Sequence, residues 1–309
     1  MQRFTLEQLA TLLALVSEGS FETAAARLNV TPSAVSQRVK AMEQTSGRVL
    51  VQRTTPIRLT DAGDVLLRYA RQVQLLEADT VRELQHSRTE GDTFRVSLAV
   101  NADSLATWFL DALTGLGDRL GVAFDLHRED QELTTRLLRA GTVMAAVTST
   151  RDAVQGCATE PLGQMRYRAV ATPDFIARWL PDWRGPSGLS TLSGLVDLPR
   201  APVVTFERND DVQEAFLREH TGTGSSGPIH YIPTSNDFVR AILRGFGWGM
   251  LPEQQCAEEI VDGRLVDLAP HLAVDVPLFW QRWNLSSPLL DAVSAAVRAE
   301  AQASLRPFR

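Results

Sequence analysis

Apolar residues recur every three or four positions at Leu6, Leu9, Leu12, Leu13 and Val16, a spacing that predicts a helix over Leu6 to Glu18. Ser20 suits the cap of a second, short helix holding Phe21, Ala24, Ala25 and Leu28, and Asn29 and Val30 leave a turn only a few residues long. A third helix is marked at both ends. Thr31 is an N-cap type, Pro32 stands where the first helical residue lacks an N–H partner anyway, and Gly47 suits a left-handed terminus. At 100° per residue Val35, Val39 and Met42 share one sector, while Ser33, Ser36, Gln37 and Lys40 cluster almost opposite. Val30 and Val35 have the spacing of a hydrophobic staple.

Val49 to Leu59 suits a small β-hairpin turning at Thr54 to Pro56, with Arg53 and Arg58 on its arms. Thr60 can cap a long helix reaching about Ser87, roughly 40 Å at 1.5 Å per residue. Leu66, Tyr69, Val73, Leu76 and Leu84 form a stripe along it, as expected of a seam against another helix. Thr89 to Asp92 reads as a hinge, and beyond it the grammar changes. Strands are expected at Phe94 to Val100, Val122 to His127 and Val143 to Thr148, alternating with helices at Ser104 to Leu116 and Gln131 to Ala140. After Cys157 to Leu162 the series restarts at Tyr167 to Ala171 and runs through Trp248 to Leu251. Val276 to Arg282 then reads as a strand, and Ser287-Pro288 opens a last helix through Ala303. This order implies a parallel sheet with helices on its faces, in two lobes whose connecting chain crosses near Gln164 and near Pro270.

Two helices joined by so short a turn place the second across the first, and a helix fits the DNA major groove. Ser33, Ser36 and Gln37 lie near the start of the third helix, where base edges would be met, and Thr31, Pro32, Arg38 and Lys40 flank them. Arg53 and Arg58 would lie along the phosphates or in the minor groove. Solvated faces on an ordinary helical hairpin are the plain alternative. The net charge of −6 is unevenly placed: residues 1–60 hold seven basic and four acidic groups, while residues 91–309 hold 20 basic and 27 acidic. A basic head on an acidic body is the footprint of one domain that touches phosphate carried by another that does not.

A chain of 309 residues with 44% hydrophobic content can build two or three folded units. No signal-peptide core or membrane-length apolar run is visible, so a cytoplasmic location is expected. Cys157 and Cys256 have no His or Cys at ligand spacing, so no metal or other cofactor is expected and buried thiols are the default reading. The five histidines are scattered, with no nucleophile and base grouping and no Gly-x-Ser-x-Gly elbow. Gly245 to Gly249 imitates a phosphate loop but follows a helix and enters a strand, the reverse of the required order. An enzyme and a redox sensor remain the competing classes.

The runs AAARLNVTPSAVSQRVKAME and GRVLVQRTTPIRLTDAG resemble the N-terminal domain of LysR-type transcriptional regulators, in motif, order and distance from the start. Val51 stands where that family often has phenylalanine. The resemblance implies a second helix that reads DNA, a winged hairpin, a dimerising linker helix and a periplasmic-binding-protein-like effector domain. The expected fold is α/β with an all-α winged helix-turn-helix head and a two-lobed effector domain. Its expected parts are a head at 1–60, a linker at 61–90 and an effector domain at 91–309, with lobe I at 91–163 and 270–309 and lobe II at 164–269. Expected partners are double-stranded DNA, a second copy of the chain with dimers that could pair into a tetramer, and RNA polymerase.

Ligands in such sheets bind at strand ends where helices begin. Candidate effector contacts are therefore Asn101, Asp103 and Ser104, then Thr148 and Ser149, and Ser235 with Asn236. Free N–H groups beside hydroxyls attract a carboxylate. Asp103, Glu129, Asp130, Asp210, Asp211 and Asp237 gather at similar strand ends and suit a cation, so a zwitterion with an added positive charge fits both features. For any single residue, plain helix capping is the competing role. VNADSLATW, which ends at Trp108, ERNDDVQEAF at Glu207 to Phe216, and Phe279 to Arg282 resemble the branch of the family that senses lysine or arginine and activates a basic-amino-acid exporter. Lysine or arginine is the effector this resemblance implies.

Overall fold

The computed structural model describes residues 4–54, 56–84, 94–128, 131–183, 185 and 195–308. The hinge expected at Thr89 to Asp92 lies outside them. Helices α1 (Leu6–Glu18), α2 (Phe21–Arg27) and α3 (Pro32–Ser46) form the head. Thr5 and Gln8 close a capping box on α1, Ser20 Oγ accepts from the Thr23 N–H, and Thr31 Oγ1 accepts from the Ala34 N–H at the start of α3. Asn29 makes the turn at φ 53°, a conformation its short polar side chain tolerates. Gly47 ends α3 in the left-handed region. The inward sector of α3, Val35, Val39 and Met42, packs on Leu9, Leu12, Leu15, Ala24 and Ala25. The hairpin pairs only β1 (Val51–Gln52) with β2 (Arg58–Leu59), antiparallel.

Thr60 caps α4 (Asp61–Leu84) through the Gly63 N–H. The stripe predicted along α4 divides. Leu66 is buried in the head core with Leu67 and Ala70, and Val73 packs against the same cluster, whereas Tyr69, Leu76 and Leu84 stay exposed. Leu75 enters a different core, that of the α/β domain. The helix therefore belongs physically to both.

The α/β domain is built on a seven-stranded sheet whose path runs β10-β6-β11-β5-β3-β4, with β9 also paired to β6. Its parallel part is β3 (Phe94–Val100), β4 (Val122–Arg128) and β5 (Ala145–Thr148). Three short helices, α5 (Ala102–Thr107), α6 (Phe109–Leu113) and α7 (Leu116–Leu120), replace the single helix expected over Ser104 to Leu116. The chain breaks at Trp108, whose φ and ψ of −129° and −27° leave the helical region, because its ring turns into the core against Phe109 and Phe109 against Trp280. Helix α8 (Gln131–Ala140) follows as expected.

The expected break between two strands near Gln164 is absent. Instead β6 (Cys157–Ala171) is one 15-residue strand, paired antiparallel from Cys157 to Tyr167 with β11 (Val274–Trp283) and farther along with β9 (Gly249–Pro252) and β10 (Val266–Asp267). The lobes are joined by this shared ladder, with a bulge in its register between Leu278 and Phe279. Beyond it stand α9 (Pro173–Trp179), the parallel pair β7 (Val203–Thr205) and β8 (Ile229–Tyr231), α10 (Val212–Thr221) and α11 (Ser235–Leu243). Helix α12 (Glu253–Val261) was not predicted, and α13 (Pro288–Ser304) returns to pack on α6 with Ser287 as its cap.

Helix α4 lies against the turn that ends α8. Arg71 Nη1 donates to the Gly141 carbonyl at 2.5 Å, and Arg68 Nη1 donates to the Arg139 and Gln155 carbonyls. Gly141 has φ +70°, and a Cβ there would fall 2.5 Å from Arg68 Cα. Gly141→Ala is therefore expected to destabilise the protein by about 1–3 kcal/mol. Urea denaturation of the two proteins would measure it, and an unchanged midpoint would show the contact to be loose.

Candidate nucleic-acid interface and ligand cleft

Capping and burial leave one side of α3 to solvent. Thr31, Pro32, Ser33, Gln37 and Lys40 are exposed and Ser36 is half-buried, all on the first two and a half turns. Arg38 is turned back to α1, where its guanidinium donates to Glu7 Oε2 at 3.2 Å and Thr11 Oγ1 at 3.3 Å. It braces the crossing of α1 and α3. Arg53 and Arg58 are exposed on the hairpin, and the Arg53 guanidinium lies 5.3 Å from the Phe21 ring centroid. The geometry offers a helix start carrying short polar side chains, flanked by exposed cations of the kind that pair with phosphate.

The second site is a cleft of about 440 Å³ between the lobes, within the range of small-ligand pockets. Asn101, Ala102 and Asp103 enter it from the end of β3, Arg128 from the end of β4, and Tyr167 from the shared strand β6. The other lobe brings Phe206, Glu207, Asn209, Asp210, Gln213 and Gln255. Asp103 sits where these elements meet. Tyr167 Oη donates to its Oδ2 at 2.7 Å, and Ser235 Oγ donates to its Oδ1 at 2.8 Å. Gln255 Nε2 in turn donates to Ser235 Oγ at 2.9 Å. Burial pushes the Asp103 carboxyl above the ordinary carboxylate range, the two hydroxyl donors pull it back, and the charge of Asp210 adds to the rise. Burial and then the Asp103 charge hold the Tyr167 hydroxyl well above its ordinary range, so it remains a donor.

Of the residues expected at the cleft, the structure brings Asn101, Asp103 and Asp210 to its wall, with Ser235 behind Asp103. Others go elsewhere. Ser104 is buried within α5 and is not its cap, a position Asn101 takes. Trp108 is a core residue. Thr148 is buried and bound to Gln281, whose amide also accepts from the Val154 N–H and donates to the Asp152 carbonyl, fastening the segment after β5. Ser149 does not line the cleft. Asp211, Asn236 and Asp237 are exposed outside it, the last paired with Thr234 and Arg240. Ser235 begins α11, and Thr234 holds the cap position. Glu129 and Asp130 lie outside the described residues. Asp210 spends its oxygens on the Phe206 and Val212 N–H groups, so it shapes the loop as well as charging the cleft.

Arg128, Tyr167, Glu207, Asn209, Gln213 and Gln255 are cleft residues that the pattern of the chain did not mark. Glu207 and Gln213 lie inside the ERNDDVQEAF segment, which was a usable signal. Arg128 is the last residue of a recognisable strand, another. A polar Tyr167 within a strand, and Gln255 on an unpredicted helix, offered none. The buried Asn101 Oδ1 and Gln213 Oε1 have no hydrogen-bond partner among the described residues, and both suit an N–H donor from a ligand.

Among the described residues no group of His, Cys, Asp and Glu could hold a metal ion, and Cys157 and Cys256 are free. Burial pushes the Cys157 thiol up to about 11 and the Cys256 thiol up to about 12. Thiols so protonated are poor redox nucleophiles. Among the described residues no helix is long and apolar enough to cross a membrane.

A DNA-reading helical head joined by one long helix to a two-lobed binding domain defines a ligand-responsive transcriptional regulator. The family of bacterial regulatory helix-turn-helix proteins named for LysR matches residues 6–64, and the LysR substrate-binding domain matches residues 89–302. The chain belongs to the LysR family and is a DNA-binding regulator of transcription. It is similar to the crystal structure of ArgP from Mycobacterium tuberculosis, with a TM-score of 0.86 and 43% identity over 97% of this chain and 98% of that one. The full-length LysG of Corynebacterium glutamicum with bound effector Arg superposes with a TM-score of 0.79 and 38% identity, covering 98% and 100%. That organism's relative, named lysine export transcriptional regulatory protein LysG, is 39% identical over 97% of this chain and 99% of its own.

Two sets of variants follow from this geometry. Gln37→Ala is expected to relax sequence preference, with a loss on the order of 1–3 kcal/mol on specific DNA, whereas Arg53→Ala should weaken all DNA and flatten the salt dependence. Band shifts across a salt series separate them, and equal losses for Gln37→Ala on specific and random duplex would reject base reading. For Asp103 the sign is set by its raised folded-state pKa: the folded form holds the proton more tightly, so its stabilising share is complete in acid and is lost as pH rises through that value. Asp103→Asn, which cannot ionise, should therefore be at least as stable as the unsubstituted protein at neutral pH without ligand, with the advantage vanishing in acid. Denaturant titrations at the two pH values decide it.

Proposed function

We propose that this protein senses lysine or arginine in the inter-lobe cleft and, in response, controls transcription of a basic-amino-acid exporter gene. The observation that carries the reading is the charge of the cleft wall. Three carboxylates, Asp103, Glu207 and Asp210, face it with one guanidinium, Arg128, among the described residues that line it. A basic amino acid brings two cations and one carboxylate, the complement of that set. The names of the C. glutamicum and M. tuberculosis relatives, and the arginine bound to the former, support the same class of effector. Binding without turnover is the expected behaviour, with no cofactor required.

The exposed apolar stripe of Val65, Tyr69 and Leu76 supports pairing through α4, since a contiguous apolar face is covered in an assembled protein. Phe4, Leu50 and Ala62 extend it into a groove beside the helix. A twofold pair of heads would address a roughly palindromic site in the cytoplasm, and dimers could pair further into a tetramer or meet RNA polymerase there. Ligand acts as a population shift: it favours the lobe arrangement it binds better, and α4, packed in both cores, conveys that arrangement to the heads.

Thermal unfolding of the full-length protein against each of the twenty amino acids is the test. Lysine or arginine should raise the midpoint selectively, by the equivalent of about 2.7 kcal/mol at a hundredfold excess over Kd. No shift with either, or an equal shift with neutral amino acids, would overturn the effector class.

A further inference from the structure

The hydroxyl groups at helix starts, the obvious receptors for an amino acid's carboxylate, are committed or absent from the cleft. Ser235 Oγ donates to Asp103 and accepts from Gln255, Thr148 is tied to Gln281 and the Thr150 carbonyl, and Ser104 is not on the wall. A carboxylate entering a cleft that already holds Asp103, Glu207 and Asp210 needs a cation beside it, because burying it among like charges is strongly unfavourable. Arg128 is the cation that lines this cleft among the described residues.

Its surroundings fit that task. Arg128 closes β4 on one lobe, its guanidinium lies 6.0 Å from the centroid of the Phe206 ring on the other, and Nη1 donates to the Pro233 carbonyl at 2.8 Å. A neutral carbonyl is a weaker acceptor for a guanidinium than a carboxylate, which can also accept two parallel N–H groups. Pro233 stands two residues before Ser235, so lobe I holds the start of α11 at two points, through Arg128 and through Asp103.

We propose that Arg128 is the specificity residue for the effector's carboxylate, exchanging the Pro233 carbonyl for the ligand and thereby separating amino acids from the corresponding amines and amides. This rests on the basic-amino-acid reading above. The exchange also explains how occupancy reaches the lobes: the group that recognises the carboxylate is the group that holds the start of α11. Asp103, Glu207 and Asp210 are left to face the two cations of the ligand.

A four-way binding cycle tests the assignment. Full-length unsubstituted protein, Arg128→Gln and Arg128→Lys are titrated calorimetrically with L-arginine and L-argininamide, and with L-lysine and L-lysinamide; each amide keeps both cations and removes the carboxylate charge. The unsubstituted protein should prefer acid over amide by about 10- to 100-fold, the range of a hydrogen bond between charged groups. Arg128→Gln should abolish that preference by weakening the acid alone, and Arg128→Lys should restore part of it. Equal weakening of acid and amide, as a merely structural role would give, overturns the proposal, as does discrimination retained in Arg128→Gln. Unsubstituted protein that binds none of the four overturns the basic-amino-acid reading and this assignment with it, an outcome distinct from tight binding that ignores Arg128.

Discussion

The antiparallel ladder between Cys157–Ala171 and Val274–Trp283 is the constraint on which the rest of the molecule depends. Each strand contributes to both lobes, so neither lobe can move without flexing a hydrogen-bonded pair that runs through the centre. Such a pair bends and twists more readily than it separates, because separating it would leave backbone donors and acceptors unsatisfied. Arg166 with Asp275 and Arg168 with Asp267 pin it by ion pairs across neighbouring strands, and Arg168 also pairs with Glu253 at the start of α12. Burial raises the Glu253 carboxyl, yet Arg168 and Arg306 outweigh it and hold the group below its ordinary range. The lobes therefore have a defined hinge and a cleft beside it.

Asp103 lies at the point where that hinge becomes chemistry. Its two oxygens accept from the hinge strand through Tyr167 and from the opposite lobe through Ser235, so a single carboxylate couples both lobes and the ladder between them. Its carboxyl is held above the ordinary range by burial, which makes an approaching cation favourable for a reason independent of shape. A cation in the cleft stabilises the ionised form and changes what those two donors experience. Under the proposed function, ligand recognition and lobe position are thus one electrostatic problem.

Helix α4 extends the same logic outward. Leu66, Leu67 and Ala70 are part of the head's core, Leu75 is part of the binding domain's core, and Arg68 and Arg71 fasten its middle to backbone carbonyls at the end of α8. A stiff element with side chains packed in both cores transmits displacement, where a flexible tether would absorb it. The acidic binding domain and the basic head keep separate electrostatic roles while sharing this one mechanical part.

Local signals in the chain determined a good deal by themselves. Caps at Ser20, Thr31, Thr60 and Ser287, the terminus at Gly47, and the inward sector Val35, Val39 and Met42 are short-range features, and each appears where the pattern placed it. The alternation of strands and helices sufficed for the binding-domain class, and the motif around α3 for the family. Tertiary structure alone decided that Cys157 to Ala171 is a single strand, because its continuity depends on β11, more than a hundred residues away. It alone turned Trp108 into the core and Arg38 toward α1, and gave Thr148 to Gln281. It also assembled the cleft from Asp103, Arg128, Tyr167, Glu207 and Gln255, which lie far apart in the chain. Helix caps and periodicity are written within a few residues of one another; a binding site is a statement about which distant strand ends and helix starts share one volume, and that is settled only when the sheet has closed.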